Sequence, residues 1–250
     1  MNIFRYFSDL HGHLPDFVRD TDKEEICILA GDMTEFGKAG TELLKHFRCL
    51  CIRFKEVIVV PGNHEYYGTH IGTLELKIRK GMADVDNFTL LQSGEYVTRD
   101  GVRIIGATMW SDTSSIEYDA QTMMNDYKYI RIGPDNERWK YRLKPMHTTS
   151  IHYADVKAID EALKDYEGDS IVVTHHAPSK YSLDRRYEGN VLNPAYATDI
   201  KLYKWPNYWI HGHIHRACSY IHNGCNVRCN PGGYPTEYTD FEPINNRFIL

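Results

Sequence analysis

Val57-Ile58-Val59-Val60-Pro61-Gly62-Asn63-His64-Glu65 is an apolar run that halts at Pro-Gly and passes straight into a polar loop. Four consecutive β-branched residues read as a strand in a buried sheet, because a half-solvated strand would alternate with polar positions. Open α/β sheets gather ligand sites just past such strand ends. The pattern recurs along the chain. Ile3–Phe7 reads as a strand ending at Ser8-Asp9-Leu10-His11, and Ile26–Ala30 as one ending at Gly31-Asp32. Ile171-Val172-Val173-Thr174 runs into His175-His176, and Tyr208-Trp209-Ile210 into His211-Gly212-His213-Ile214-His215.

Helical signals fill the intervals at about 38–54 and 73–82. A third helix follows from Ile151, Ala154, Ala158, Ile159, Ala162, Leu163 and Tyr166, which recur at helical spacing before a stop at Gly168. Glu95–Thr98 and Val102–Thr108 flank Arg99-Asp100-Gly101 as a hairpin. A stretch at about 111–148 has no clear period and is rich in aromatics, among them Tyr118, Tyr127, Tyr129, Trp139 and Tyr141. With no repeat, low-complexity tract or linker in sight, residues 1–250 are expected to form a single domain carrying this irregular insert.

Composition narrows the class. At 250 residues, 42% hydrophobic and 25% charged, the chain can build a full globular core. A net charge of −5 gives no general attraction to nucleic acid or anionic lipid. No apolar run approaches the ~18 residues of a membrane-spanning helix. Met1-Asn2-Ile3-Phe4-Arg5-Tyr6-Phe7 lacks the apolar stretch of a signal peptide, so a cytoplasmic protein is expected.

The six cysteines include no C-x-x-C pair. Cys218, His222, Cys225 and Cys229 invite a zinc reading, which the turn at Asn223-Gly224 undoes. That turn pairs His222 with Cys225 and Cys218 with Cys229, leaving the two pairs roughly 13 Å apart at about 3.3 Å per residue. Zinc needs all four ligands within about 2.3 Å of one point. Reduced, partly buried thiols are the expectation, with a Cys218–Cys229 disulfide open only to an oxidising compartment.

The strand ends carry the chemistry. Asp9 and His11 stand two residues apart and, on extended backbone, would point to one side. Asp32 has two oxygens with which to bridge two cations. Asn63 offers a neutral amide oxygen, and His175, His213 and His215 offer imidazole nitrogens, the last two again spaced by two. Two carboxylates, one amide and four imidazoles suit Mn²⁺, Fe, Zn²⁺ or Ni²⁺ better than Ca²⁺. Any one of these pieces alone is more often a solvated or hydrogen-bonded pair. Their order, types and positions after strands favour two divalent transition-metal ions.

The set Asp9-Leu10-His11, Gly31-Asp32, Gly62-Asn63-His64-Glu65, His175-His176 and Gly212-His213-Ile214-His215 resembles the calcineurin-like metallophosphoesterases. Residues 173–179, 193–196, 209–215 and 229–235 are more narrowly similar to small microbial and phage-type members of that superfamily. The resemblance implies a four-layer α/β/β/α sandwich of two mixed sheets with a dinuclear site at the strand ends. It implies that Asp9, His11 and His215 hold one metal, Asn63, His175 and His213 the other, and that Asp32 bridges. It further implies in-line attack on a phosphate ester by a metal-bridging hydroxide, with His64 as general acid.

Protein Ser/Thr phosphatases of the superfamily carry Gly-Asp-x-x-Asp-Arg-Gly, whereas this chain has Gly31-Asp32-Met33-Thr34-Glu35-Phe36-Gly37. Glu35 could still orient His64, but Phe36 cannot grip phosphate. Phosphodiesters or small phosphomonoesters are therefore the expected substrates.

Competing readings are a nuclease and a metal-binding scaffold without catalysis. Lys128, Arg131, Arg138, Lys140, Arg142 and Lys144 concentrate positive charge in the insert, but the acidic balance counts against a nucleic-acid track. A scaffold should have lost a ligand or His64, and none is missing. His176 either backs the ligands or faces solvent. His211 is read as packing, Arg185 and Arg186 as a solvated loop pair before a phosphate clamp, and the Asn125–Tyr129 aromatics as insert packing before a nucleobase stack. His147 and His152 carry no role beyond a place at the rim.

Overall fold

The structure, a computed structural model, describes residues 1–13, 23–134, 136–137, 139–241 and 246–250, with only the backbone at residues 38 and 39. The chain opens with β1 (Ile3–Phe7) and β2 (Glu25–Ala30), then α1 (Phe36–Arg53), β3 (Glu56–Val60), α2 (Leu74–Gly81) and β4 (Phe88–Leu90). A hairpin of β5 (Gly94–Val97) and β6 (Arg103–Ala107) follows. The insert contributes short helices α3 (Glu117–Met123) and α4 (Asp126–Tyr129) and a small ribbon of β7 (Arg131–Ile132) with β8 (Tyr141–Arg142). Then come α5 (Pro145–Lys164), β9 (Ser170–Thr174), α6 (Asn193–Tyr196), β10 (Tyr208–His211), β11 (Cys218–His222), β12 (Cys225–Cys229) and β13 (Arg247–Ile249).

Among the described residues there are two large mixed sheets, in the orders β13-β1-β2-β3-β4 and β11-β12-β10-β9-β6-β5. Each has a parallel centre. β13 lies antiparallel on β1, β11 on β12 and β5 on β6. Alternation along the strands then builds the layers. Ile26, Ile28, Ile58 and Val60 of the first sheet meet Ile104, Ile171, Val173 and Ile210 of the second between the sheets. Cys27, Leu29, Val57 and Val59 turn outward onto Leu43, Phe47 and Leu50 of α1. Ile105, Val172, Trp209 and Val227 face Ile159 and Leu163 of α5. The result is an α/β/β/α sandwich, as expected. Burying each such side chain is worth about 1.5–3 kcal/mol.

Some elements depart from expectation. α5 begins at Pro145, well before the periodicity that starts at Ile151. Pro145 sits in its first turn, and the His147 side chain bonds back to the Lys144 backbone N–H at 3.1 Å. Proline at that position is a start signal that the apolar spacing overlooks. β4, β7, β8 and β13 are too short to show a period. The terminal hairpin has the expected register, with His222 opposite Cys225 and Cys218 opposite Cys229, so the zinc reading fails on geometry.

Because β1, β2, β3, β9 and β10 run parallel within their sheets, their carboxyl ends open on one edge of the sandwich. That edge carries all the ligand candidates.

Candidate metal centre

The ligand loops are not extended. Asp9, His11, Asp32, His213 and His215 all have positive φ, between 44° and 70°. The shared side of each Asp-x-His or His-x-His pair therefore comes from two left-handed residues flanking one ordinary residue, which corrects the extended-backbone expectation. Left-handed non-glycine residues cost of order 1–3 kcal/mol each and persist only where surrounding contacts hold them. Those contacts are present. The Asp9 and His11 N–H groups donate to Gly31 O and Asp32 O at 2.9 and 3.0 Å. Both Asp9 carboxylate oxygens accept from His213 N at 3.0 Å.

Close backbone approach demands glycine beneath Asp32. A Cβ on Gly62 would run into the Asp32 carboxylate, and one on Gly31 into the His175 ring and the Gly62 backbone. Glu65 fastens these loops together. Its buried carboxylate accepts from the N–H groups of Asp32, Met33, Thr34 and Gly62, at 2.8, 2.6, 3.2 and 2.7 Å. Burial and the Asp32 charge push its pKa up to about 7, although the N–H groups favour the charged form.

The ligand atoms of Asp9, His11 and His215 lie within 4.8 Å of one another, and so do those of Asp32, His175 and His213. Asn63 joins the second group, its Oδ1 2.9 Å from His175 Nε2. Asp32 faces both: His175 Nε2 is 3.4 Å from Oδ2, and Asp32 also groups with His11 and His64. All seven expected ligands are thus gathered in one place. The donor set fits a pair of cations. His11 Nε2 and His215 Nε2 point at each other across 3.0 Å. His213 Nε2 is buried with no hydrogen-bond partner among the described residues, an arrangement that costs about 1–3 kcal/mol if nothing is bound.

Charge and burial compete at each ligand. Burial would raise the Asp32 pKa, but the charges of His175, His64 and His11 hold it well below the usual carboxylate range. Burial would lower His175, yet the Asp32 charge and hydrogen bond lift it to about 10. The His175 Nδ1 proton goes to Ala30 O at 2.8 Å, which aims Nε2 at the site. His215 is lifted to about 9 against burial by Asp9 and Glu237. Burial takes His11 down to about 4 and His213 well below the ordinary imidazole value.

Sequence reasoning missed the groups behind the ligands. Glu237 Oε2 lies 2.5 Å from His215 Nδ1, an orienting carboxylate on the far ring nitrogen. Asp126 Oδ1 accepts from Asn63 Nδ2 at 2.8 Å and from Tyr67 Oη at 2.9 Å, so the Asn63 carbonyl is the end left facing the site. Tyr234 Oη is 3.1 Å from His64 Nε2, and its ring stacks on His11 at 4.2 Å. The His64 backbone N–H donates to Asp32 Oδ1 at 2.9 Å. Glu35 is close enough for its charge to bear on Tyr234. Phe36, where the protein phosphatases have arginine, packs against the core.

The weaker candidates resolve differently. His176 is buried, packs on His213 with ring centroids 4.2 Å apart, and is pushed down to about 3 by burial and the His175 charge, so it backs the ligands. His211 is buried and bonds to Ser182 Oγ at 2.9 Å. His152 is buried against Trp110 O, not at the rim. Arg186 pairs with Asp184 at 2.7 Å. Tyr127 is buried, with Oη 3.0 Å from Thr148 Oγ1. Lys140 pairs with Glu137 at 3.1 Å and Lys128 donates to Met123 O, while Arg138 lies outside the described residues.

A cavity of about 360 Å³ opens over the ligands, walled by Tyr67, Met123, Met124, Tyr187, Leu192 and Tyr196. No helix among the described residues is long and apolar enough to cross a membrane.

Oxygen and nitrogen donors in two groups sharing one carboxylate, at the strand ends of a double sheet, equip a binuclear metal-dependent hydrolase. Residues 4–217 match the calcineurin-like phosphoesterase family, and the chain belongs to it as a metallophosphoesterase. It is 28% identical over 275 residues to an uncharacterized protein of Acanthamoeba polyphaga mimivirus, spanning 97% of this chain and 95% of that one. In fold it is similar to the phosphopantetheinyl hydrolase of Mycobacterium tuberculosis, with TM-score 0.73, 18% identity, and coverage of 94% of this chain and 90% of that one. A Thermus thermophilus protein is also similar, with TM-score 0.56, 13% identity, and coverage of 92% and 89%.

Proposed function

We propose that the chain hydrolyses small phosphodiesters, with Mn²⁺ as its working metal. The observation that carries this is the double ligand group sharing Asp32 with His64 beside it. Asp9, His11, Asp32 and His215 would hold one ion, and Asp32, Asn63, His175 and His213 the other. When bound, the two cations supply a water of lowered pKa and neutralise charge on the phosphoryl oxygens.

The chain's own residues do the rest. His64 delivers the proton to the departing alcohol, its backbone fixed by Asp32 and its ring by Tyr234. Glu35 assists in orienting that ring. Glu237 and Asp126 hold His215 and Asn63 in their ligating poses. The aromatic and thioether walls receive the organic part of the substrate. Of the charged groups that the described lining adds to the ligand cluster, Asp184 is paired with Arg186 and Arg216, which leaves Glu237 as the carboxylate not countered by an arginine, and it favours a singly charged diester over a doubly charged monoester.

The test is hydrolysis of bis(p-nitrophenyl) phosphate beside p-nitrophenyl phosphate, by protein stripped with chelator and reloaded with Mn²⁺. The expected result is a diester preference that returns with Mn²⁺ and is lost in Asp32→Ala. A monoester preference would overturn the substrate assignment. Turnover unaffected by chelation would overturn the metal-dependent reading.

A further inference from the structure

Away from the metal centre, the terminal hairpin brings two thiols together. Cys218 and Cys229 are directly opposite in the β11–β12 register, which puts both side chains on one face of the hairpin. Directly opposed residues of an antiparallel pair have Cα atoms about 4.5–5.5 Å apart, inside the ~4.4–6.8 Å window of a disulfide. Both cysteines are free. Their surroundings differ: Cys229 is buried, whereas Cys218 is half-buried and lines a second cleft of about 440 Å³. Ser182 and Tyr220 form part of that cleft's floor, with His211 Nε2 beside them, 3.8 Å from Cys218 Sγ. Exposed Arg185 and half-buried Arg216 stand on its rim. Arg216 is tied to Asp184 at 2.9 Å, so Arg185 is the cation better placed to meet an incoming anion.

We propose that Cys218 and Cys229 form a reversible dithiol–disulfide pair that exchanges with a small carboxylate-bearing disulfide of the glutathione class, Cys218 attacking and Cys229 resolving. Cys218 Sγ, having lost its proton to solvent, attacks one sulfur of the small disulfide. That S–S bond breaks, a mixed disulfide forms on Cys218, and one thiolate leaves. Cys229 Sγ then attacks the Cys218 sulfur, releasing the second small thiol and closing the protein disulfide. Two protein thiols are oxidised and one small disulfide is reduced to two thiols. The order follows from access, since the cleft reaches Cys218 and not Cys229. It agrees with the electrostatics: the neighbouring Cys229 thiol holds the Cys218 thiol below its ordinary range, while burial pushes Cys229 up.

The bond would join the strands from which two site loops spring. β11 begins just after the loop bearing His213 and His215, and β12 ends just before the loop bearing Tyr234 and Glu237.

The experiment treats the full chain, first reduced, with glutathione disulfide, then maps peptides by mass spectrometry without reduction. The expected product is a crosslinked Cys218–Cys229 peptide that has lost two hydrogens and reverts with dithiothreitol. Cys229→Ser should accumulate glutathione on Cys218, and Cys218→Ser should leave Cys229 unmodified. Wild-type protein that yields no such crosslink, or that places glutathione first on Cys27, Cys49 or Cys51, overturns the proposal whatever the variants do.

Discussion

The two halves of the metal centre are held in different ways. In the half built from Asp32, Asn63, His175 and His213, the ligands are buried, the side chains of His175 and Asp32 being 0% and 1% exposed. Each has a fixed partner: the His64 N–H for Asp32, Ala30 O for His175, Asp126 for Asn63, and the stacked Tyr196 ring for His213. In the half built from Asp9, His11 and His215, Asp9 is buried too, but the His215 side chain is 20% exposed, and Glu237, which orients it, is 41% exposed. A ligand set locked before binding loses little freedom on taking up an ion, whereas a half-solvated one must be ordered first. The buried half should bind tightly and exchange slowly, and the open half should give up its ion first to a chelator.

Asp32 stands between the two ligand groups, and on the proposed bridging role Asp32→Ala should abolish turnover and reduce metal content in each half. Retained activity in that variant would break the comparison at its root. Asp126→Ala should weaken the ion of the buried half by about 10–100-fold, the usual cost of losing an orienting partner, while sparing the open half. Glu237→Gln should do the converse and more mildly, by about tenfold, because its solvated carboxylate is the less constraining of the two. Metal analysis by mass spectrometry after dialysis checks both variants.

Proton competition sharpens the same contrast. His175 and His215 are lifted to about 10 and about 9, so each must shed a proton before its lone pair can ligate. Metal binding should release protons, and affinity should fall as pH drops, by up to about tenfold per unit per displaced proton. A calorimetric titration in buffers of different ionisation enthalpy reads that proton release. Smallest of all, Tyr234→Phe should lower kcat by about a few-fold without changing metal content, since it removes only the hydroxyl beside His64.

The strand ends could be read from the sequence because a buried parallel strand leaves a continuous apolar run, and the residues after it are ligands by type. The hairpin register could be read because Asn223-Gly224 fixes it. Glu237, Asp126 and Tyr234 could not. They reach the site from a terminal loop and an aperiodic insert, and nothing local marks a carboxylate as aimed at an imidazole far along the chain. Glu65 stood in a quoted motif, but its role depends on N–H groups supplied by another loop. The left-handed ligand backbones were also hidden, since Asp and His announce no positive φ as glycine does.

The most direct test is a Mn²⁺ titration of chelator-stripped protein, followed by calorimetry and repeated on Asp126→Ala. Two ions per chain are expected, bound with unequal affinity, and only the tighter one weakened by the substitution. A single ion, or two of equal affinity with neither altered in Asp126→Ala, would contradict the division into a locked and an open half.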